Sequence, residues 1–216
     1  LHSDHITDLN DVITSAWIAT FAEQEPLQIV GPPGTKEVVD RLLHFLSFDI
    51  KYRIDHHEDL NEPPAVNVTE IESGVVELKG DVKISTELTD HHPVGPTIAF
   101  RFDHGNDAVV VAGDTIPCAG LDKLCTGAKG LVHTVIRKDI IESIPLQRLQ
   151  DVCDYHSSVE EASQTAERAG IETLVFTHYV PAFPSGQEEE WKKIAAQHFS
   201  GRIELGDDLH RVEIGE

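Results

Sequence analysis

Two apolar runs that each end in a group able to hold a metal or move a proton restrict this chain more than any other feature. Ala108 to Ala112 reads as a buried strand that passes directly into Gly113-Asp114-Thr115, and Thr173 to Phe176 stops at Thr177-His178-Tyr179. Short continuous apolar runs are strands covered on both faces. Polar groups just past their ends therefore fall on a sheet rim, where loops on a rigid scaffold carry function.

The rest of the pattern supplies the layers. Leu27 to Val30, Val66 to Ile71, Val75 to Leu78, Val82 to Leu88, Thr97 to Phe102 and Leu131 to Ile136 read as strands, the last with His133 inside it. Ile50 to Ile54, Arg202 to Leu205 and Leu209 to Ile214 read the same way. Leu9, Val12, Ile13, Ala16 and Trp17 recur at helical spacing behind Asp8 as a cap, and Val38, Val39, Leu42, Leu43 and Leu46 do so behind Thr35. A capping box, Ser158-x-x-Glu161, opens a helix that Gly170 closes, and Glu188 to Phe199 predicts another. Strands mixed with helices imply a layered α/β protein, and 216 residues without a linker imply a single domain over 1–216.

The first five residues, Leu1-His2-Ser3-Asp4-His5, hold two imidazoles and a carboxylate. These are zinc-type ligands. His2 can serve one ion while Asp4 and His5 face a second, a two-metal arrangement. Thirteen histidines agree with metal work. The chain has no methionine and opens inside a motif, so Leu1 is expected not to be the natural start. No apolar run reaches membrane-span length and no signal-peptide pattern is present, which gives a cytoplasmic expectation.

Seventeen Lys and Arg against 38 Asp and Glu give a formal charge of −21, which disfavours extended contact with nucleic acid. Cys118, Cys125 and Cys153 lack disulfide or CxxC spacing and read as free thiols. Gly31-Pro32-Pro33-Gly34 lacks the Gly-Lys-Ser/Thr ending of a phosphate-binding loop. His56-His57-Glu58-Asp59 reads as a solvated loop, Trp17 and Trp191 as packing, and His44, His104, His198 and His210 as surface or structural histidines.

The remaining candidates are His2, Asp4, His5, His91, His92, Asp114, His156 and His178. His2-Ser3-Asp4-His5 resembles the last four residues of the HxHxDH signature of the metallo-β-lactamase superfamily, its first histidine lying ahead of the chain. Asp90-His91-His92-Pro93, Gly113-Asp114-Thr115 and Phe176-Thr177-His178-Tyr179 resemble its later ligand motifs in order. Phe100-Arg101 and Tyr155-His156-Ser157-Ser158 are similar to the ribonuclease Z and arylsulfatase-like branch. The resemblance implies an αββα four-layer sandwich lacking its N-terminal strands. It also implies two divalent ions, zinc first and manganese or iron also possible, and a homodimer. Carried over, His2 and His91 bind the first metal, Asp4, His5 and His178 bind the second, and Asp114 bridges. Asp90-His91-x-Pro93-Val94-x-Pro96 resembles the branch's pattern with the ligand directly after the acid, favouring His91 over His92. Asp4 would orient a metal-bridging hydroxide, and His156 would give a proton to the leaving oxygen.

Two departures bear on substrate. Ribonuclease Z enzymes have a glutamate after the histidine of a HEAT motif, where Leu131-Val132-His133-Thr134 has Thr134, and no glycine-rich basic arm lies between Asp114 and His178. With the acidic balance, these favour a small phosphodiester, sulfate or related ester. A tRNA 3′-processing endoribonuclease and a degenerate, non-catalytic binding member are the alternatives.

Overall fold

The computed structural model describes residues 1–19, 25–182 and 186–215. They form two compact units, Leu1–Ile71 and Glu72–Glu216. Among the described residues no helix is long and apolar enough to cross a membrane.

The first unit is mostly helical. A short helix α1 (Ser3–Ile6) leads into α2 (Leu9–Ile18), which buries Ile13 and Trp17 while Val12 stays half exposed. Asp8 occupies the α2 cap position without a side-chain capping bond. Strand β1 (Leu27–Gly31) is followed by α3 (Thr35–Phe45), α4 (Ser47–His56) and β2 (Val66–Glu70), and β1 pairs with β2 in parallel. Thr35 is the first helical residue of α3, not its cap, and its hydroxyl donates to Pro32 O. The α3 amides of Gly34 and Lys36 instead donate to Glu70 Oε1 at 2.8 and 2.9 Å, a carboxylate placed where the helix dipole favours it.

Ile50 to Ile54 lies within α4 and is not a strand. The alternation of Ile50, Tyr52 and Ile54 suggested period two, yet Asp49–Arg53 and Lys51–Asp55 pair at i, i+4, a spacing that only a helix brings together. His56 ends α4, and His56 and His57 are exposed, as expected of a solvated stretch.

The second unit is built on one mixed sheet in the order β3-β4-β5-β6-β7-β8-β9. Its strands are β3 (Gly74–Val76), β4 (Lys83–Thr89), β5 (Thr97–His104), β6 (Asp107–Val111), β7 (Gly130–Ile136), β8 (Thr173–Val180) and β9 (Arg202–Leu205). Strands β3 to β6 run antiparallel through short links. The β5–β6 link is a two-residue turn in which Gly105 takes φ 59°, the left-handed conformation a tight hairpin demands of its first central residue. From β6 onward neighbours are parallel, which requires crossovers. These are α5 (Ala119–Cys125), then α6 (Lys138–Glu142), α7 (Gln147–Gln150), a 3-10 turn and α8 (Val159–Ala169), and finally α9 (Glu188–Ala195). Helix α8 begins with the full capping box of Ser158 and Glu161 and ends at Gly170 in the left-handed region. Leu209 to Ile214 forms no strand, and Leu209 stands almost fully exposed.

The core gathers Val110, Leu121, Leu131, Val135, Val159, Leu174, Phe176 and Trp191. Trp191 stands edge-on to Tyr179 at 5.4 Å and lies under Arg137, the packing role expected of it. Buried Arg137 also pairs with Asp139 and Glu190, and its N–H donates to Val180 O, so β7 is fastened to the end of β8. All three cysteines are free thiols.

Candidate metal centre

In the second unit the rim of the sheet gathers His91, Asp114, His156 and His178. Strand β6 ends at Val111, and Gly113 turns the chain at φ 65°, a conformation that suits glycine, so that Asp114 follows in a buried position. One carboxylate oxygen, Oδ2, lies 3.3 Å from His156 Nε2, and the other, Oδ1, lies 3.8 Å from His178 Nδ1. A donor atom of His91 is within 4.8 Å of an Asp114 oxygen.

Each imidazole is aimed by a different device. His91 is 3% exposed and its Nδ1 donates to Tyr155 O at 2.8 Å, which directs Nε2 away from that carbonyl. His156 Nδ1 donates to Val152 O at 2.9 Å, so the ring presents Nε2 to Asp114. The His91 and His156 rings meet edge to face at 4.9 Å. His178 sits at φ 49°, left-handed for a non-glycine residue, where the β7–β8 register shifts between Thr134 and Ile136. A bulge of this kind re-aims a side chain next to a site, at the cost of local strain. The exposed His92 is not part of the group.

The donor chemistry fits a divalent cation. His91 and His178 beside the buried Asp114 carboxylate offer a nitrogen and oxygen set that suits zinc, and His91 already donates its second nitrogen to a carbonyl, as metal-ligating histidines do. Cys125 adds nothing to this set, because burial pushes its thiol up to about 12. His133 also stands apart. It is fully buried in β7, its Nδ1 bonds Thr134 O at 2.7 Å, and burial lowers it to about 4.

In the first unit the remaining candidates share one turn. His2 is the N-cap of α1, its carbonyl accepts the His5 N–H, and His5 Nε2 lies 3.5 Å from Asp4 Oδ2. This places a second imidazole and carboxylate pair on a short helix that runs on towards α2.

Buried hydroxyls that no sequence motif singles out hold these turns. Thr115 Oγ1 accepts from Asp90 N at 3.1 Å, Ser157 Oγ donates to Thr115 O at 2.7 Å, and Thr134 Oγ1 donates to Gly113 O at 2.9 Å. The available signal was their adjacency to Asp114, His156 and His133.

A cavity of about 940 Å³ in the same unit is bounded by Val109, Val132, Val175 and Leu205 on the sheet face, with His178 at its edge.

The β-lactamase superfamily domain matches residues 1–179. Ribonuclease Z of Mycobacterium avium (strain 104) is 60% identical over 215 residues, which covers 99% of this chain and 77% of that protein. Among solved structures, the metallo-β-lactamase fold protein YhfI from Bacillus subtilis superposes with a TM-score of 0.69 at 20% identity, covering 95% of this chain and 71% of that one. Human tRNase Z, short form, superposes with a TM-score of 0.68 at 18% identity, covering 100% of this chain and 77% of that one. At these identities the two structures speak to fold alone, and they bear out the metallo-β-lactamase fold.

Proposed function

Because the chain belongs to the ribonuclease Z family of the β-lactamase superfamily and is a metal-dependent hydrolase acting on phosphodiester bonds, we propose that it is a tRNA 3′-processing endoribonuclease. The similarity to a mycobacterial ribonuclease Z over nearly the whole chain carries this reading. It replaces the small-ester expectation. That expectation leaned on a charge of −21, which is a sum over the entire sequence, whereas RNA meets a local field to which two divalent ions would add four positive charges. The sulfate-ester branch draws no support from these relatives.

The proposed ligand set follows the family motif. His2 and His91 would hold one ion, Asp4, His5 and His178 the other, and Asp114 both, with the two units acting as a single hydrolase domain. Zinc is the first candidate, and manganese or iron would take the same donors. When bound, the ions acidify a water, a single zinc lowering its pKa from about 15.7 to about 7, and offset charge on the phosphate oxygens. The chain's own groups do the rest. Asp4 accepts a hydrogen bond from the attacking water and so orients it. His156, fixed by Val152 O with Nε2 inward, delivers a proton to the leaving ribose oxygen. A homodimer, implied by the resemblance, belongs to the same proposal.

Cleavage of a precursor tRNA bearing a 3′ trailer, set beside hydrolysis of an aryl phosphodiester and an aryl sulfate, tests the reading. A higher kcat/KM for the RNA supports it. Turnover of the small esters alone restores the first expectation.

A further inference from the structure

The two carbonyls that flank Asp114 are each held by a buried hydroxyl from elsewhere in the fold. Ahead of it, Gly113 O accepts from Thr134 Oγ1, on β7, at 2.9 Å. Behind it, Thr115 O accepts from Ser157 Oγ, in the turn before α8, at 2.7 Å. Ser157 is fully buried and Thr134 nearly so, so neither hydroxyl exchanges its bond for water at no cost. Thr115 extends the arrangement, since its Oγ1 accepts from Asp90 N, and Ile116 N donates to Asp90 O at 2.9 Å, next to His91. Gly113 has no side chain to wedge this turn and sits at φ 65°, so its peptide plane is set by what bonds its carbonyl.

We propose that Thr134 and Ser157 are positioning residues, a pair of hydroxyl anchors that fix the orientation of the Asp114 carboxylate between His156 and His178. The inference rests on the reading of Asp114 as the bridging ligand. It also assigns a task to the position where the sequence departs from the ribonuclease Z pattern. At this position Thr134 bonds the backbone of the aspartate turn, and His156 takes its orientation from the Val152 carbonyl. A free-swinging carboxylate would have to be ordered as each ion binds, whereas an anchored one presents its oxygens already separated towards two imidazoles.

The test compares wild type, Thr134→Val, Thr134→Ser, Ser157→Ala and Asp114→Ala as full chains stripped of metal. Zinc affinity is measured by competition with a chromophoric chelator, and the visible spectrum is recorded after loading with cobalt(II). Folding is monitored by circular dichroism of the metal-free proteins. Losing a hydrogen bond that orients a metal ligand lowers affinity by roughly 10–100-fold. Thr134→Val and Ser157→Ala are expected to show that loss with an altered cobalt spectrum, and Thr134→Ser, which keeps the donor, to restore both. If Thr134→Val does not fold, Ser157→Ala and Thr134→Ser decide between the outcomes. Unchanged affinity and spectrum in Thr134→Val and Ser157→Ala, with metal lost in Asp114→Ala, overturns the anchor role while leaving the metal centre standing. A wild-type chain that takes up no zinc overturns the metal centre itself.

Discussion

His156 presents Nε2 to Asp114 Oδ2 at 3.3 Å because Val152 O, at 2.9 Å, holds the opposite ring nitrogen. The imidazole is thus fixed beside the proposed bridging carboxylate without being one of the ligands carried over from the family motif. His156→Ala should lower kcat on precursor tRNA by roughly 10²–10⁴, the usual worth of general acid catalysis. Metal content, measured by plasma mass spectrometry, should stay at the wild-type level. Loss of metal in that variant would make His156 a ligand instead of an acid.

His91 and His92 are neighbours in sequence with opposite surroundings, one buried with Nδ1 bonded to Tyr155 O and the other exposed. His91→Ala is therefore expected to lose metal and at least about 100-fold in cleavage rate, on the scale of lost Lewis-acid chemistry. His92→Ala should keep both. Equal losses in the two variants would contradict the assignment.

His133 supplies a pH dependence. Burial strips water from its charged form and lowers it from 6.5 to about 4, while Asp114 and Glu161 pull upward without offsetting that effect. Between these values the unfolded chain binds a proton that the folded chain does not. Stability is thus fully present above pH 6.5 and is lost as pH falls towards 4, by about 3 kcal/mol. Urea midpoints at pH about 7 and about 4.5 should differ less in His133→Leu than in wild type. The same difference in both would remove His133 as the cause.

Leu174 is fully buried in β8, four residues ahead of His178. Leu174→Ala should cost about 2–5 kcal/mol through lost burial and the cavity left behind. Urea denaturation should show this as a lower midpoint with an unchanged slope. A shift below about 1 kcal/mol would mean that β8 relaxes around the deletion.

The strands that carry Asp114 and His178 were legible because each is an apolar run cut off by glycine or by polar residues. The αL posture of His178 was not, since it depends on a register shift against β7 that only the paired strands define. Ile50 to Ile54 misled because alternating β-branched and aromatic residues imitate a strand, and the ion pairs that stabilise α4 lie across the pattern. Leu209 to Ile214 misled for want of a neighbour, as the sequence shows Val212 and Ile214 on alternate positions but not whether a sheet edge is there to receive them. Glu70 as the carboxylate at the start of α3 was out of reach, since residues 36 positions apart meet only after β1 and β2 pair.

The most direct test is a zinc titration of the metal-free full chain, following precursor tRNA cleavage at each addition. No cleavage is expected before zinc is added, with saturation near two equivalents per chain and no response in Asp114→Ala. Full cleavage by the stripped protein in excess chelator would contradict this.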